Sequence, residues 1–126
     1  MDVTITYQQR FRVYAEDVDF MGIVYHANYL CYFERARTEM LRQNNFTLSD
    51  LMKQNILFAV HDMHIRYKAP ARLDDLLTIK TQVQQQGACS FIFDQIMQNE
   101  QDRLISEAKV QVVCVDGNLK PRRFPH

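Results

Sequence analysis

Between residues 14 and 29 the chain reads Tyr-Ala-Glu-Asp-Val-Asp-Phe-Met-Gly-Ile-Val-Tyr-His-Ala-Asn-Tyr. Three carboxylates, Glu16, Asp17 and Asp19, and one imidazole, His26, stand just ahead of a segment with helical periodicity. The first backbone N–H groups of a helix have no partner inside it and carry a partial positive charge. They can receive a developing oxyanion while a carboxylate on the approach loop attacks a carbonyl or activates a water. That combination fits acyl transfer. One preorganised oxyanion donor contributes about 2.7–4 kcal/mol, and a general base or carboxylate nucleophile contributes roughly 10²-fold or more. A thioester is reactive enough for such modest equipment, whereas esters and amides need more. The same acidic loop could instead only cap the helix and complement its dipole, and spacing alone does not separate the two.

Other candidates are weaker. Asp17 lies two residues from Asp19 and is expected to serve the structure of the loop. Glu34, beside Arg35 and Arg37, is expected in an ion pair at a subunit interface rather than in catalysis. His61 and His64 are three apart in a strand-like pattern, which puts them on opposite faces and argues against a metal site. Cys31, Cys89 and Cys114 are odd in number and widely spaced. They form neither a disulfide framework nor a Cys-x-x-Cys pair, so free thiols in a reducing compartment are expected. Cys31, on an apolar helix, is expected in the core. No Ser-His-Asp or Cys-His order demands a covalent triad.

The elements that must position the loop follow from periodicity. Residues 3–13 alternate, with Val3, Ile5, Tyr7, Gln9, Phe11 and Val13 on one side, and read as a half-buried strand. Residues 15–27 form a loop in which Gly22 supplies backbone freedom. Residues 28–43 read as a helix with Asn28 as N-cap and an inward stripe of Tyr29, Phe33, Ala36 and Met40, flanked by Leu30, Tyr32 and Leu41. A short helix is expected over residues 47–54, starting near Thr47 or Ser49. Strands are expected over 57–67, 76–83, 91–97 and 104–115, with Pro70 ending the first of these and turns at 98–102 and 116–118. One long helix followed by strands in succession predicts an α+β domain with an antiparallel sheet, occupying residues 1–126 as a single unit.

Composition narrows the class. The chain has 126 residues and 47% apolar content, enough to bury roughly two thirds of the unfolded surface in one core. Fifteen basic and fifteen acidic side chains cancel, which argues against nucleic-acid or membrane-surface binding. The amino terminus shows no basic region followed by an apolar run, and no stretch reaches the roughly 18 apolar residues of a membrane span. A cytoplasmic location is expected.

The run Asp17-x-Asp19-x-x-Gly22-Ile-Val-Tyr25-His26-x-Asn28-Tyr29, followed by Phe33-Glu34-Arg35-Ala36-Arg37, resembles the hotdog-fold thioesterases of the 4-hydroxybenzoyl-CoA type. Within them it is most similar to the YbgC-like acyl-CoA thioesterases, named for their link to the Tol-Pal envelope system. Tyr67-Lys-Ala-Pro70-Ala-Arg72-Leu-Asp74-Asp75 matches as well, as does Glu107-Ala-x-Val110 with Val112-Val-Cys-Val115-Asp116. The resemblance spans nearly the whole chain, with several separated motifs in the right order. It implies a hotdog fold, a long central helix packed against a five-stranded antiparallel sheet. It implies homodimers or homotetramers with active sites at the subunit interface. It also implies hydrolysis of acyl-CoA, or of acyl-carrier protein thioesters, with no metal and no cofactor beyond the coenzyme A of the substrate.

By the same resemblance Asp19 is the catalytic carboxylate, as nucleophile or general base. The backbone N–H of His26 is the oxyanion donor, at a position that holds tyrosine in the 4-hydroxybenzoyl type, and its ring could also bond the thioester or orient water. Gly22 keeps the loop compact and Tyr25 lines the acyl pocket. Phe20 and Met21 stand where relatives often carry smaller residues, which bears on the width of that pocket. Lys68 and Arg72, with Lys120, Arg122 and Arg123, are candidates to hold the phosphates of coenzyme A, against the plain reading of a solvated basic surface. A second reading keeps the fold without catalysis, as an acyl-carrier-protein or envelope-complex binding partner. A dehydratase is weaker still, since it needs a His with an acid from another motif. Asp19 beside Gly22 and His26 favours the enzyme, because a binding module has no chemical need for that carboxylate.

Overall fold

A computed structural model of the chain describes residues 1–125. In chain order the elements are β1 (Tyr7–Arg12), α1 (Asn28–Gln43), α2 (Leu48–Lys53), β2 (Leu57–Tyr67), β3 (Leu76–Gln86), β4 (Ser90–Gln98) and β5 (Leu104–Val115). The strands form one antiparallel sheet in the order β1-β3-β4-β5-β2. The expected α+β arrangement of one long helix and five antiparallel strands is what the chain adopts. Strands β3, β4 and β5 follow one another as hairpins, but β2 does not join that run. It pairs with β5 at the far edge, so α1 and α2 connect the two opposite edges of the sheet.

The first strand is shorter than its alternation predicts. Pairing with β3 begins only at Tyr7, opposite Thr81, and Val3 and Ile5 are exposed. Asp2 takes the N–H and hydroxyl of Thr4 into a local turn instead, an alternative to the ladder that Asp side chains readily offer.

Helix α1 contains neither Gly nor Pro, and its inward side chains Tyr29, Tyr32, Phe33, Ala36, Met40 and Leu41 are buried. Both helices stop for the same reason. Asn45 and Asn55 adopt the left-handed conformation, at φ 66° and 61°. The next N–H in each case, Phe46 or Ile56, bonds back to the carbonyl of Leu41 or Leu51. This is a Schellman closure with asparagine in glycine's usual place. Thr47 caps α2 by accepting the N–H of Asp50. Two expectations for α1 fail. Its N-cap is Ala27, without a side-chain cap bond; the Asn28 amide instead donates to the carbonyl of Asp17 at 3.0 Å. Cys31 is exposed, not in the core, because two steps of about 100° from the buried Tyr29 carry it to the outer side of the helix.

The inner face of the sheet is mostly apolar, and its polar residues include one link to the helix. Gln95 is 1% exposed on β4 between Phe93 and Met97. Its amide donates to the carbonyl of Phe33 on α1 at 3.0 Å and to the hydroxyl of Thr81 on β3 at 3.1 Å. Its oxygen accepts Nη1 of Arg37, a guanidinium that is 8% exposed. Burial pulls Arg37 below its ordinary pKa, while the Glu34 carboxylate opposes the shift. Replacing Gln95 with Ala removes a partner from both Arg37 and the Phe33 carbonyl. Urea unfolding is expected to show a loss of about 2–3 kcal/mol.

Candidate active site

The acidic loop is built around Asp17 rather than Asp19. The Asp17 carboxylate accepts the N–H of Tyr14 at 3.1 Å and the hydroxyl of Tyr32, on the buried side of α1, at 2.6 Å. Its backbone carbonyl accepts the N–H of Tyr25 at 3.1 Å and the Asn28 amide. Oδ2 and the backbone carbonyl of Asp17 thus tie the loop together and hold it to the helix, the structural role expected of this residue. Burial, and then the bond to Asp17, push the Tyr32 phenol well above its ordinary pKa, so it stays a donor.

From this knot the chain runs out and back as a narrow hairpin. Val18 and Val24 form a bridge, the N–H of Asp19 donates to Ile23, and the N–H of Gly22 donates back to the carbonyl of Asp19, each at 3.0 Å. The Asp19 Oδ1 accepts the N–H of Met21 at 2.8 Å. Oδ2 accepts no hydrogen bond among the described residues. Gly22 sits at φ +76° with open space where a Cβ would be. Phe20, at the tip, is fully exposed, and Met21 is exposed too.

The hairpin returns to the head of α1 through Tyr25 and His26. Both are exposed, and their rings pack at 4.4 Å between centroids. The N–H of Asn28 bonds to Tyr25 and that of Leu30 to Ala27. The N–H groups of His26 and Ala27 find no acceptor among the described residues. The first turn of α1 carries no acidic side chain of its own, which leaves its positive pole to groups on the loop.

A second segment, residues 68–75, braces this assembly. Val24 donates to the carbonyl of Ala71, Leu73 donates to Gly22, and Ile23 bridges Arg72. The Ala71 N–H in turn donates to the Tyr29 hydroxyl at 2.9 Å, and the Tyr67 hydroxyl donates to the carbonyl of His26 at 2.8 Å. The structure therefore brings Asp19, Gly22, Tyr25 and His26 together on one hairpin, with Lys68 and Arg72 on the brace beside it. Lys68 and Arg72 are exposed and enter no ion pair among the described residues. Lys120, Arg122 and Arg123 follow the end of β5 that pairs with Leu57. Tyr67 is at the other end of β2, about 33 Å away at roughly 3.3 Å per residue, so one chain does not gather these cations at the hairpin.

Neither large cavity includes Asp19 or His26. One, of about 400 Å³, lies between α1, α2 and β2 and is lined by Arg37, Leu41, Leu48, Met52 and Phe58 among others. The other, of about 440 Å³, is a polar depression on the outer face of the sheet, where Arg66, Lys80 and Lys109 alternate with Asp94 and Glu107. Glu34 accepts the hydroxyl of Thr38 at 3.3 Å and forms no ion pair among the described residues. His61 sits in a bulge of β2 and His64 beyond it, both exposed, and no group of three metal-ligating side chains occurs among the described residues.

The sequence reading missed Tyr67, Tyr32 and the pair Arg37–Gln95. Gln95 had a visible signal, a polar residue on the apolar side of an alternating strand. So did Arg37, four residues after the inward-facing Phe33. Tyr32 and Tyr67 act through hydroxyls that reach across 15 and 41 residues, and no local pattern announces such a bond. At Gly22 an added Cβ meets no atom, so the cost of substitution is backbone strain alone. Gly22→Ala is expected to lower stability by about 1 kcal/mol, and Gly22→Asn by less, since asparagine tolerates positive φ; chemical denaturation of the two variants measures the difference.

The profile of the thioesterase-like superfamily matches residues 13–126. The acyl-CoA thioester hydrolase YbgC of Escherichia coli O6:H1 is 46% identical over 123 residues, which is 97% of this chain and 92% of that one. The acyl-CoA thioesterase YbgC of Haemophilus influenzae is 47% identical over 117 residues, 90% of this chain and 85% of that one. A solved structure, a probable thioesterase from Bartonella henselae, superposes with a TM-score of 0.89 at 36% identity, covering 96% of this chain and all of the other. With the fold, the hairpin and these likenesses in agreement, the chain belongs to the thioesterase-like superfamily, as a YbgC-like hotdog-fold thioesterase.

Proposed function

We propose that the chain hydrolyses an acyl-CoA to the free acid and coenzyme A, with Asp19 as nucleophile or general base and the N–H of His26 as oxyanion donor. The observation that carries this reading is a pair of unengaged groups on one braced hairpin. Oδ2 of Asp19 accepts nothing and the N–H of His26 donates to nothing among the described residues. The N–H of Ala27 is unengaged as well, whereas Oδ2 and the backbone carbonyl of Asp17 are spent on holding the loop.

Two routes fit these groups. In the first, the Asp19 carboxylate adds to the thioester carbonyl and expels the thiolate, forming an anhydride that water hydrolyses. In the second, Asp19 takes a proton from the attacking water, the tetrahedral intermediate expels the thiolate, and the proton passes from Asp19 to that thiolate, giving the thiol. In both, negative charge gathers on the carbonyl oxygen, and the head of α1 stabilises it. Neither route needs a metal or a redox group. The imidazole of His26, exposed beside Tyr25, is available to the leaving group or to water. Lys68 and Arg72 are the cations for the coenzyme A phosphates, and Tyr25 is the wall of the acyl site. Acyl-carrier protein presents the same thioester and is the other substrate this chemistry serves.

The working unit in this reading is a homodimer or homotetramer with the site at the subunit interface. Strand β2 supports it: eleven residues long, it pairs only with β5 and leaves its other edge free. Exposed Phe20 and Met21 at the hairpin tip, with Val60 and Tyr67 on β2, are apolar surface that a second copy would cover. The free thiols of Cys31, Cys89 and Cys114 suit a reducing cytoplasm.

Thiol release from a panel of acyl-CoAs, short to long and aromatic, tests the chemistry. Asp19→Asn is expected to lower turnover by at least about 10² while light scattering shows the same oligomer, since the change is nearly isosteric. Wild-type turnover in that variant removes Asp19 from the mechanism. Dilution is expected to abolish activity as the oligomer dissociates, and a fully active monomer counts against an interfacial site.

A further inference from the structure

We infer that Tyr67 is a positioning residue for the oxyanion site, its hydroxyl fixing the peptide between His26 and Ala27 at the head of α1. The inference rests on the reading of His26 as oxyanion donor. Tyr67 is the last residue of β2, 46% exposed. Its hydroxyl donates to the His26 carbonyl at 2.8 Å, and its ring meets Tyr29 edge to face, with centroids 5.1 Å apart and an interplanar angle of 88°. Tyr29 lies in the first turn of α1 and sends its own hydroxyl the other way, to the N–H of Ala71. The two tyrosines therefore make crossed links, one between the helix and the brace and one from the end of β2 to the residue before the N-cap.

His26 lies one residue before the N-cap Ala27, so its carbonyl is outside the helical ladder; the N–H of Leu30 goes to Ala27 at 3.3 Å. Among the described residues Tyr67 is the sole partner of the His26 carbonyl. A peptide unit is planar, with its C=O and N–H on opposite sides. Holding the carbonyl on Tyr67 directs the N–H of Ala27 away from that hydroxyl; like the N–H of His26, it has no acceptor among the described residues. If the plane turned, an acceptor would replace a donor beside the oxyanion site. Such a change alters the transition state more than the bound substrate, because the oxygen carries its full charge only during reaction.

A purely structural brace would behave differently, and two tyrosine variants separate the cases. Tyr67→Phe keeps the ring and its contact with Tyr29 and removes only the hydroxyl. Tyr7→Phe is the control. Its hydroxyl donates to the Asp2 carbonyl at 2.6 Å and pairs with Asn44, beyond the C-terminal end of α1. Both variants, with wild type and Asp19→Asn, are assayed for kcat and KM on the acyl-CoA that wild type turns over fastest, and their thermal midpoints are measured. Tyr67→Phe is expected to lose about tenfold or more in kcat with KM within about twofold. Its midpoint is expected to fall no further than that of Tyr7→Phe, which keeps its kcat. Wild-type kcat in Tyr67→Phe overturns the inference, as does a raised KM with kcat retained, or equal losses of rate in both tyrosine variants. If Tyr67→Phe keeps its rate while Asp19→Asn loses it, the positioning role fails and the hydrolytic reading stands. If Asp19→Asn keeps its rate while Tyr67→Phe loses it, Asp19 is misassigned and the positioning role stands. No turnover of any acyl-CoA by wild type overturns both.

Discussion

Residues 22–24 and 71–73 run antiparallel and exchange backbone hydrogen bonds, Val24 to Ala71 and Leu73 to Gly22. The loop between β1 and α1 has little core of its own, since only Val13 and Val24 are buried among its side chains. Its shape comes from this short ladder. The brace is anchored in turn by the carbonyl of Ile105, which accepts the N–H groups of both Lys68 and Ala69, and by Ala71, which is 0% exposed. The position of the Asp19 carboxylate therefore descends from β5 through the brace and the hairpin. A one-residue slip between the two segments would turn every side chain of the hairpin to its other face.

The head of α1 also needs a fixed height on the sheet, and apolar contacts alone set height loosely, because they are not directional. Gln95 supplies direction. It joins a helix carbonyl at Phe33 to a β3 hydroxyl at Thr81 while accepting from Arg37. Phe33 is only five residues past Asn28, so this polar clasp lies close behind the N-terminal turn. A buried guanidinium is costly unless its donors are engaged, and the same network that satisfies Arg37 fixes the register of α1. Fixed register and a braced loop serve one end, since a preorganised donor helps only where the oxyanion will be.

Much of this was legible in the chain. Alternation found β2 and β5 to the residue and placed Leu77, Ile79, Val83, Val110 and Val112 inside. It undercut β3, because Gln84, Gln85 and Gln86 continue the strand as polar residues paired with β4, beyond the reach of an apolar pattern. It overran β1, where Val3 and Ile5 alternate correctly but have no strand beside them. Strand order was hidden for a plain reason: periodicity records which face a residue turns to the core and says nothing of which neighbour pairs with it. At the site, the motif picked out residues that the fold carries on one hairpin, and the two-residue spacing from Asp19 pointed to a structural role for Asp17. The tyrosine hydroxyls that lock it went unread, because their partners are backbone carbonyls or distant carboxylates brought close only by the fold.

The two edges of the sheet are unequal. The β1 edge is six residues long, with Gln8, Arg10 and Arg12 turned to solvent, and charged, short edges resist adding strands. The β2 edge is nearly twice as long and by length the more receptive of the two, although Asp62 and Arg66 are exposed on it and it bulges at His61. A sheet with one receptive edge can grow only once: two copies joined edge to edge by a two-fold axis consume both receptive strands and present only guarded ones outward. Such an asymmetry would make assembly along the sheet self-limiting, since a fibre needs two receptive edges on every copy and the β1 edge carries Arg10 and Arg12, which flank the route to the acidic loop.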